Sequence, residues 1–142
     1  MQSLNAETQD ARGCTVDAFH AVRATTERLV QGLTPDDCMV QSMPDASPVK
    51  WHLAHTSWFF EQFILGPAGV APFDERYAAL FNSYYVGAGT RHPRARRGDL
   101  SRPPLDEVLA YRRHVTHAVA ALLPSADQRT LQLVRLGMEH EQ

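Results

Sequence analysis

The chain has 142 residues, 21% of them charged, with a formal net charge of −2 and a pI near 6.4. That length supports one domain with a real core, and the slightly acidic balance argues against a general binder of nucleic acid or other polyanions. No apolar run reaches the roughly 18 residues of a membrane span, residues 1–13 are too polar for a secretory signal, and two cysteines, Cys14 and Cys38, form neither a metal spacing nor a disulfide framework.

A reducing, cytoplasmic setting is therefore the default expectation. Residues 1–14 read as a loose tail. Residues 15–32 form the first predicted helix, because Val16, Phe19, Val22, Thr26 and Leu29 or Val30 recur near helical spacing and Gly32 is a stop. Thr34 and Pro35 open a turn, and residues 41–45 read as extended or turn because Pro44 restricts Met43. Ser47 and Pro48 make a helix start, a capping hydroxyl followed by proline at the first helical position. The second helix is thus predicted over 48–65, ended by Gly66 and Pro67.

From 66 to 104 the periodicity weakens. A short helix over 74–80 is expected; the remainder, with Tyr84, Tyr85, Gly87, Gly89 and a run of arginines, reads as a long connection. Loops of that length inside compact domains are commonly functional. Residues 104–123 form a third long helix, with Leu105, Val108, Leu109, Val115, Val119, Leu122 and Leu123 in register. Pro124 restarts the chain, Ser125 caps a fourth helix, and Leu133, Leu136 and His140 share one face of it. The expected fold is all-α, a four-helix bundle over 15–142 with a long loop between its second and third helices. No stop signal follows His140, and the next position on its helix face would be number 144. The expectation is of the front part of a longer protein whose last bundle helix is truncated.

The densest block in the chain is SPVKWHLAHTSWFFE, residues 47–61. On a helical wheel Trp51, His55, Trp58, Phe59 and Gln62 fall within about 60° of one direction, with His52 at the edge of that sector. His55 sits at the centre of this inward aromatic face, where an imidazole must be hydrogen-bonded or bind a metal. A core histidine held by a hydrogen bond is the ordinary explanation for one such residue, and His52 is the alternative ligand. His140 is a second inward histidine on a different helix. Two of them are harder to explain by packing alone, since facing helices of a bundle are where metal sites are built. A third ligand would complete a facial triad with open positions, suited to non-haem iron and oxygen. His20, His114 and His117 read as peripheral, so the third ligand is expected just beyond Gln142.

Residues 91–102 carry five arginines against one aspartate. Guanidinium forks recognise carboxylates in bidentate fashion, so this loop reads either as a clamp for a substrate carboxylate or as a solvated basic loop. The end of the chain, His140, Glu141 and Gln142, also matches the first three positions of H-E-x-x-H, in which the glutamate is a general base on zinc.

The block at 47–61, the segment FNSYY at 81–85, RHPR at 91–94 and GMEHEQ at 137–142 together resemble the N-terminal part of the ergothioneine-biosynthesis sulfoxide synthases, over roughly 16–142. The resemblance implies a DinB-like four-helix bundle that binds Fe(II) through three histidines. Two of these map to His55 and His140, and the third falls beyond Gln142. It implies an O2-dependent joining of the thiol of cysteine or γ-glutamylcysteine to hercynine, giving a sulfoxide. Arg94 and Arg97 match the arginines that hold the carboxylates of the thiol substrate. The family's C-terminal domain, similar to formylglycine-generating enzymes, supplies the catalytic tyrosine and is absent here, so the chain alone is expected to be inactive. The other readings are another DinB-like metal enzyme, a thiol transferase or zinc hydrolase, and a metal-free helical interaction module. Neither a nucleic acid nor a membrane is an expected partner.

Overall fold

Apolar stripes on long helices are buried only by packing against one another, and that requirement sets the architecture. The computed structural model describes residues 2–83, 87 and 89–142, with side chains for residue 12 and for the described residues from 15 onward. Its α-helices are α1 (Gln2–Leu29), α2 (Pro35–Met39), α3 (Val49–Phe60), α4 (Tyr77–Leu80), α5 (Leu105–Leu122) and α6 (Gln128–Glu141). No strand forms among the described residues. The four long helices α1, α3, α5 and α6 make the bundle, with α3 packed against α5 and α6, and α1 against α5 and α6. The all-α fold predicted from the sequence is the observed one.

The core is strongly aromatic. Phe19, Trp58, Phe60, Tyr77, Phe81 and Tyr111 are all buried, with Val108, Val115 and Val119 of α5 filling the space between them. Phe19 and Phe60 meet edge to face, with ring centroids 5.2 Å apart. The last turn of the second bundle helix widens to a π-helix over Glu61–Leu65. The buried Glu61 carboxylate accepts from the Tyr111 hydroxyl at 3.0 Å and from the backbone N–H of Phe73 at 3.0 Å, which fixes the exit of the chain into the long connection.

Several boundaries differ from the predicted ones. The backbone expected as a loose tail is helical from Gln2. Its alanines, glutamate, glutamine and arginine are good helix formers, and Arg12 donates to the carbonyl of Ala126, so tertiary contact extends the helix. Gly32 ends the first helix as expected, with φ at +91°. Thr34 does more than open a turn: with Asp37 it forms a capping box that starts α2. Ser47 makes no cap on α3, because its hydroxyl accepts from Arg97 instead. Asp127, not Ser125, caps α6, accepting from the N–H of Thr130 at 2.7 Å. Of the alternatives Leu29 and Val30, Val30 packs against the core and Leu29 is 79% exposed, while Leu136 and His140, predicted inward with Leu133, are exposed, Leu136 at 51%.

The long connection is tied down rather than loose. The indole N–H groups of Trp51 and Trp58 donate to the carbonyls of Leu80 and Ala78, which clips α4 onto α3. Further along, the Lys50 ammonium donates to the carbonyl of Leu100, and the Gln41 side-chain oxygen accepts from the N–H of Gly98. A 3-10 helix over Arg94–Asp99 brings the arginine run back to the bundle. Tyr84 and Tyr85 lie outside the described residues. Among the described residues, no helix is long and apolar enough to cross a membrane.

Gly137 shows how closely α6 approaches α3. A Cβ there would lie 2.4 Å from Cε1 of Phe60 and 3.1 Å from Cδ1 of Phe59. Helix propensity alone favours alanine over glycine by about 0.8–1.0 kcal/mol. Gly137→Ala should nonetheless lower stability in urea unfolding, by about 1–3 kcal/mol, because Phe60 is boxed in and must move. A stabilised variant would show that the helices separate there at little cost.

Candidate metal centre

His55 is placed by α3 with its ring between two indoles, stacked on Trp51 at 4.5 Å and on Trp58 at 5.4 Å between centroids. Its Nδ1 lies 2.6 Å from the carbonyl oxygen of Phe81. A carbonyl can only accept, so Nδ1 carries the proton and Nε2 presents a bare lone pair. That lone pair points across the bundle at α6, where Nε2 of His140 lies 3.2 Å away. The His140 ring stacks on Phe59, with centroids 5.0 Å apart. Burial pushes the His55 imidazole down to about 4, the carbonyl of Phe81 and the neighbouring His140 acting in opposite senses, and burial also lowers His140. Both rings are thus neutral at pH 7 with nitrogen lone pairs to offer.

The spacing suits a shared cation. Two imidazole nitrogens bound at about 2.1 Å to one metal, at angles between octahedral and tetrahedral, lie about 3.0–3.4 Å apart. The hydrogen bond from His55 Nδ1 to a backbone carbonyl is the usual support of a metal-ligating histidine. The same separation also accommodates a hydrogen bond from His140 Nε2–H to His55 Nε2 between neutral rings. Among the described residues, no group of three or more His, Cys, Asp or Glu side chains could hold a metal ion.

The pair opens onto a cavity of about 820 Å³. On its wall lie Arg94, Arg97, Trp51 and His52 together with both histidines. Arg97 is buried, with its guanidinium 3.4 Å above the Trp51 ring and Nη1 donating to Ser47 at 2.8 Å. Its Nε has no hydrogen-bond partner among the described residues. Burial, then Arg94 and Arg91, push it down to about 10, so it remains a cation. Arg94 is half-buried beside it. The two arginines and two histidines singled out in the sequence therefore share one cavity. His52 lines the same wall at its exposed side, and its ring meets Trp51 edge-on rather than facing His140. His20, His114 and His117 are exposed on other faces, as expected.

Glu141 takes a different part from the one suggested by H-E-x-x-H. Its side chain is fully buried, held by Arg23 at 2.8 Å, by Arg112 at 2.8 Å and by the Thr26 hydroxyl at 2.7 Å. Burial opposes its ionisation, yet the two guanidiniums outweigh it and keep the carboxyl below its ordinary value. A carboxylate so engaged has no lone pair aimed at a substrate water, which removes it as a general base. Sequence reasoning passed over Arg23 and Arg112. The signal was present: 108, 112, 115 and 119 follow helical spacing, so Arg112 sits in the apolar stripe of α5.

The fold and the site thus define a helical bundle with a neutral imidazole pair beside an arginine-edged cavity. The chain belongs to the DinB superfamily, whose family model matches residues 18–138. Members of that superfamily include metal-dependent enzymes. No protein of curated function matches the chain.

Removing the charge held between Arg23 and Arg112 leaves two buried cations facing each other. Glu141→Ala should cost about 3–5 kcal/mol in urea unfolding. The double variant Arg23→Met, Glu141→Leu should lose less than the sum of its single changes, since the second substitution removes one of the stranded charges. Strict additivity would mean that the three groups do not act as a unit.

Proposed function

We propose that this chain is the metal-binding module of a non-haem Fe(II), O2-dependent sulfoxide synthase, one that joins the thiol of cysteine or γ-glutamylcysteine to hercynine in ergothioneine biosynthesis. The observation that carries the reading is the 3.2 Å approach of two neutral imidazole nitrogens across the bundle, at the head of a cavity edged by arginines. The sequence resemblance supplies the choice of metal, the reaction and the substrates; the superfamily membership and the cavity are consistent with it.

In this reading His55 and His140 hold Fe(II). Bound there, Fe(II) would supply the redox chemistry with O2 that C–S bond formation requires. The chain's own residues do the remainder. The Phe81 carbonyl fixes the His55 tautomer, so the ring needs no deprotonation before binding. Trp51, Trp58 and Phe59 stack on the imidazoles and keep water from their faces. Neutral ligands leave the dication's charge uncompensated, which favours an anionic thiolate beside it. Arg97 and Arg94 then bind the carboxylates of the thiol substrate from the cavity wall. A cavity of about 820 Å³ has room for both organic substrates to approach.

A metal-free bundle is the second reading, because a hydrogen bond between neutral rings also satisfies the two histidines. Anaerobic Fe(II) titration separates the two. His55→Ala and His140→Ala should each weaken binding by at least about 10–100-fold, the range produced by losing even a supporting contact to a ligand. Wild-type-like binding by both variants would remove these residues as ligands.

The arginine wall is tested without metal. Because Arg97 lies over Trp51, γ-glutamylcysteine or cysteine bound through a carboxylate should change the tryptophan fluorescence. Arg97→Ala should abolish that change. An unaltered response in Arg97→Ala would take this arginine out of substrate binding.

A further inference from the structure

The buried ionic cluster beside His140 joins the two helices that carry the imidazoles. Arg112, on α5, donates through Nη1 to the Leu53 carbonyl at 3.0 Å and to the Thr56 hydroxyl at 2.8 Å, both on α3 and flanking His55. Its Nη2 donates at 2.8 Å to Glu141, the residue after His140 on α6. Arg23, on α1, repeats the bridge: it donates to Ser57 on α3, to Thr116 on α5 and to Glu141 on α6. The guanidinium planes are rigid forks with fixed donor directions, so each prescribes the distance between the groups it joins.

From this geometry we infer that Glu141, Arg112 and Arg23 are positioning residues that set the height and rotation of α6 against α3, and so hold His140 Nε2 opposite His55 Nε2. The inference rests on the reading of this pair as metal ligands, but the positioning it describes can be measured without a metal. A cluster serving stability alone would be indifferent to where it joins the helices. This one attaches within two residues of each imidazole on both helices. It also costs the fold two buried cations for one fully buried anion, with only the half-exposed Glu27, 3.8 Å from Arg112, to offset the excess. Apolar side chains would pack the same helices without that cost.

The test compares Arg112→Lys, which keeps the charge but loses the fork, and Thr26→Val, which removes one hydroxyl donor to Glu141, with Val119→Ala as a destabilised control in the core of α5. Folding is checked by circular dichroism and urea midpoint. In the metal-free protein, cross-relaxation between the ring protons of His55 and His140 reports their approach. In a separate anaerobic titration with Co(II), the affinity and the ligand-field spectrum report the shared site. Arg112→Lys should remain folded, lose the ring-to-ring signal and bind Co(II) about 10–100-fold more weakly with an altered spectrum. Thr26→Val should move both in the same direction by less. Val119→Ala should lower the urea midpoint and leave both readouts as in wild type.

Retention of the ring contact and of wild-type Co(II) binding in folded Arg112→Lys and Thr26→Val would overturn the inference while leaving the histidine pair as ligands. Failure of the wild-type chain to bind Co(II), with the ring contact still lost in Arg112→Lys, would overturn the metal reading and leave the positioning role standing. Equal loss of ring contact in Val119→Ala would also overturn it, since any loosening of the bundle would then suffice.

Discussion

A carboxylate shut away from water is tolerated only where its charge is answered at hydrogen-bonding distance, and Glu141 is answered by two guanidiniums and a hydroxyl. The geometry of the bundle's open end follows from that requirement. Arg23 and Arg112 come from α1 and α5, their other donors reach α3, and the anion they surround comes from α6. All four long helices therefore meet at one buried charge. Burial and the neighbouring Arg112 draw the Arg23 guanidinium down to about 10, and it stays protonated with ample margin.

Beside this charged knot the chemistry is different. The His55 imidazole is kept neutral by burial between two indoles, the more exposed His140 ring stacks on Phe59, and the Phe81 carbonyl decides which nitrogen of His55 holds the proton. The Phe81 carbonyl is carried there by the end of α4, which Trp51 and Trp58 hold through their N–H groups on the carbonyls of Leu80 and Ala78. The same two tryptophans thus wall the site, hold the incoming loop and orient the histidine. Along the same cavity, the Arg97 guanidinium sits over the Trp51 ring and keeps its charge. The cavity thus offers lone pairs suited to a cation and donors suited to an anion, with the Trp51 ring in contact with both.

The helical character of the chain and the burial of Trp51, His55, Trp58 and Phe59 were legible in the sequence, but α3 is buried on nearly every side, Lys50, Leu53, Thr56, Ser57 and Phe60 included, and not on that one face alone. The arginine run was visible as charge density, and Gly32 as a helix stop. Caps were less legible. A serine before a proline is a good cap until a distant Arg97 claims its oxygen, and Ser125 loses to Asp127 two residues later. Leu136 fits its stripe and yet faces outward, and of Leu29 and Val30 only Val30 packs inward, since periodicity marks a broad face and packing selects part of it. Glu141 invited a catalytic role by its place after His140, and its surroundings gave it a structural one.

By itself the sequence determined the fold class, the burial of the aromatic face of α3 and the presence of histidines on two separate helices. Those are properties of local periodicity, which a chain carries at every scale of a few turns. Only tertiary structure decided that His55 and His140 meet at 3.2 Å, that Arg97 lies over Trp51, and that Arg23 and Arg112 close around Glu141. Such contacts depend on the relative height and rotation of whole helices. The pattern of residues along any one helix contains no record of either.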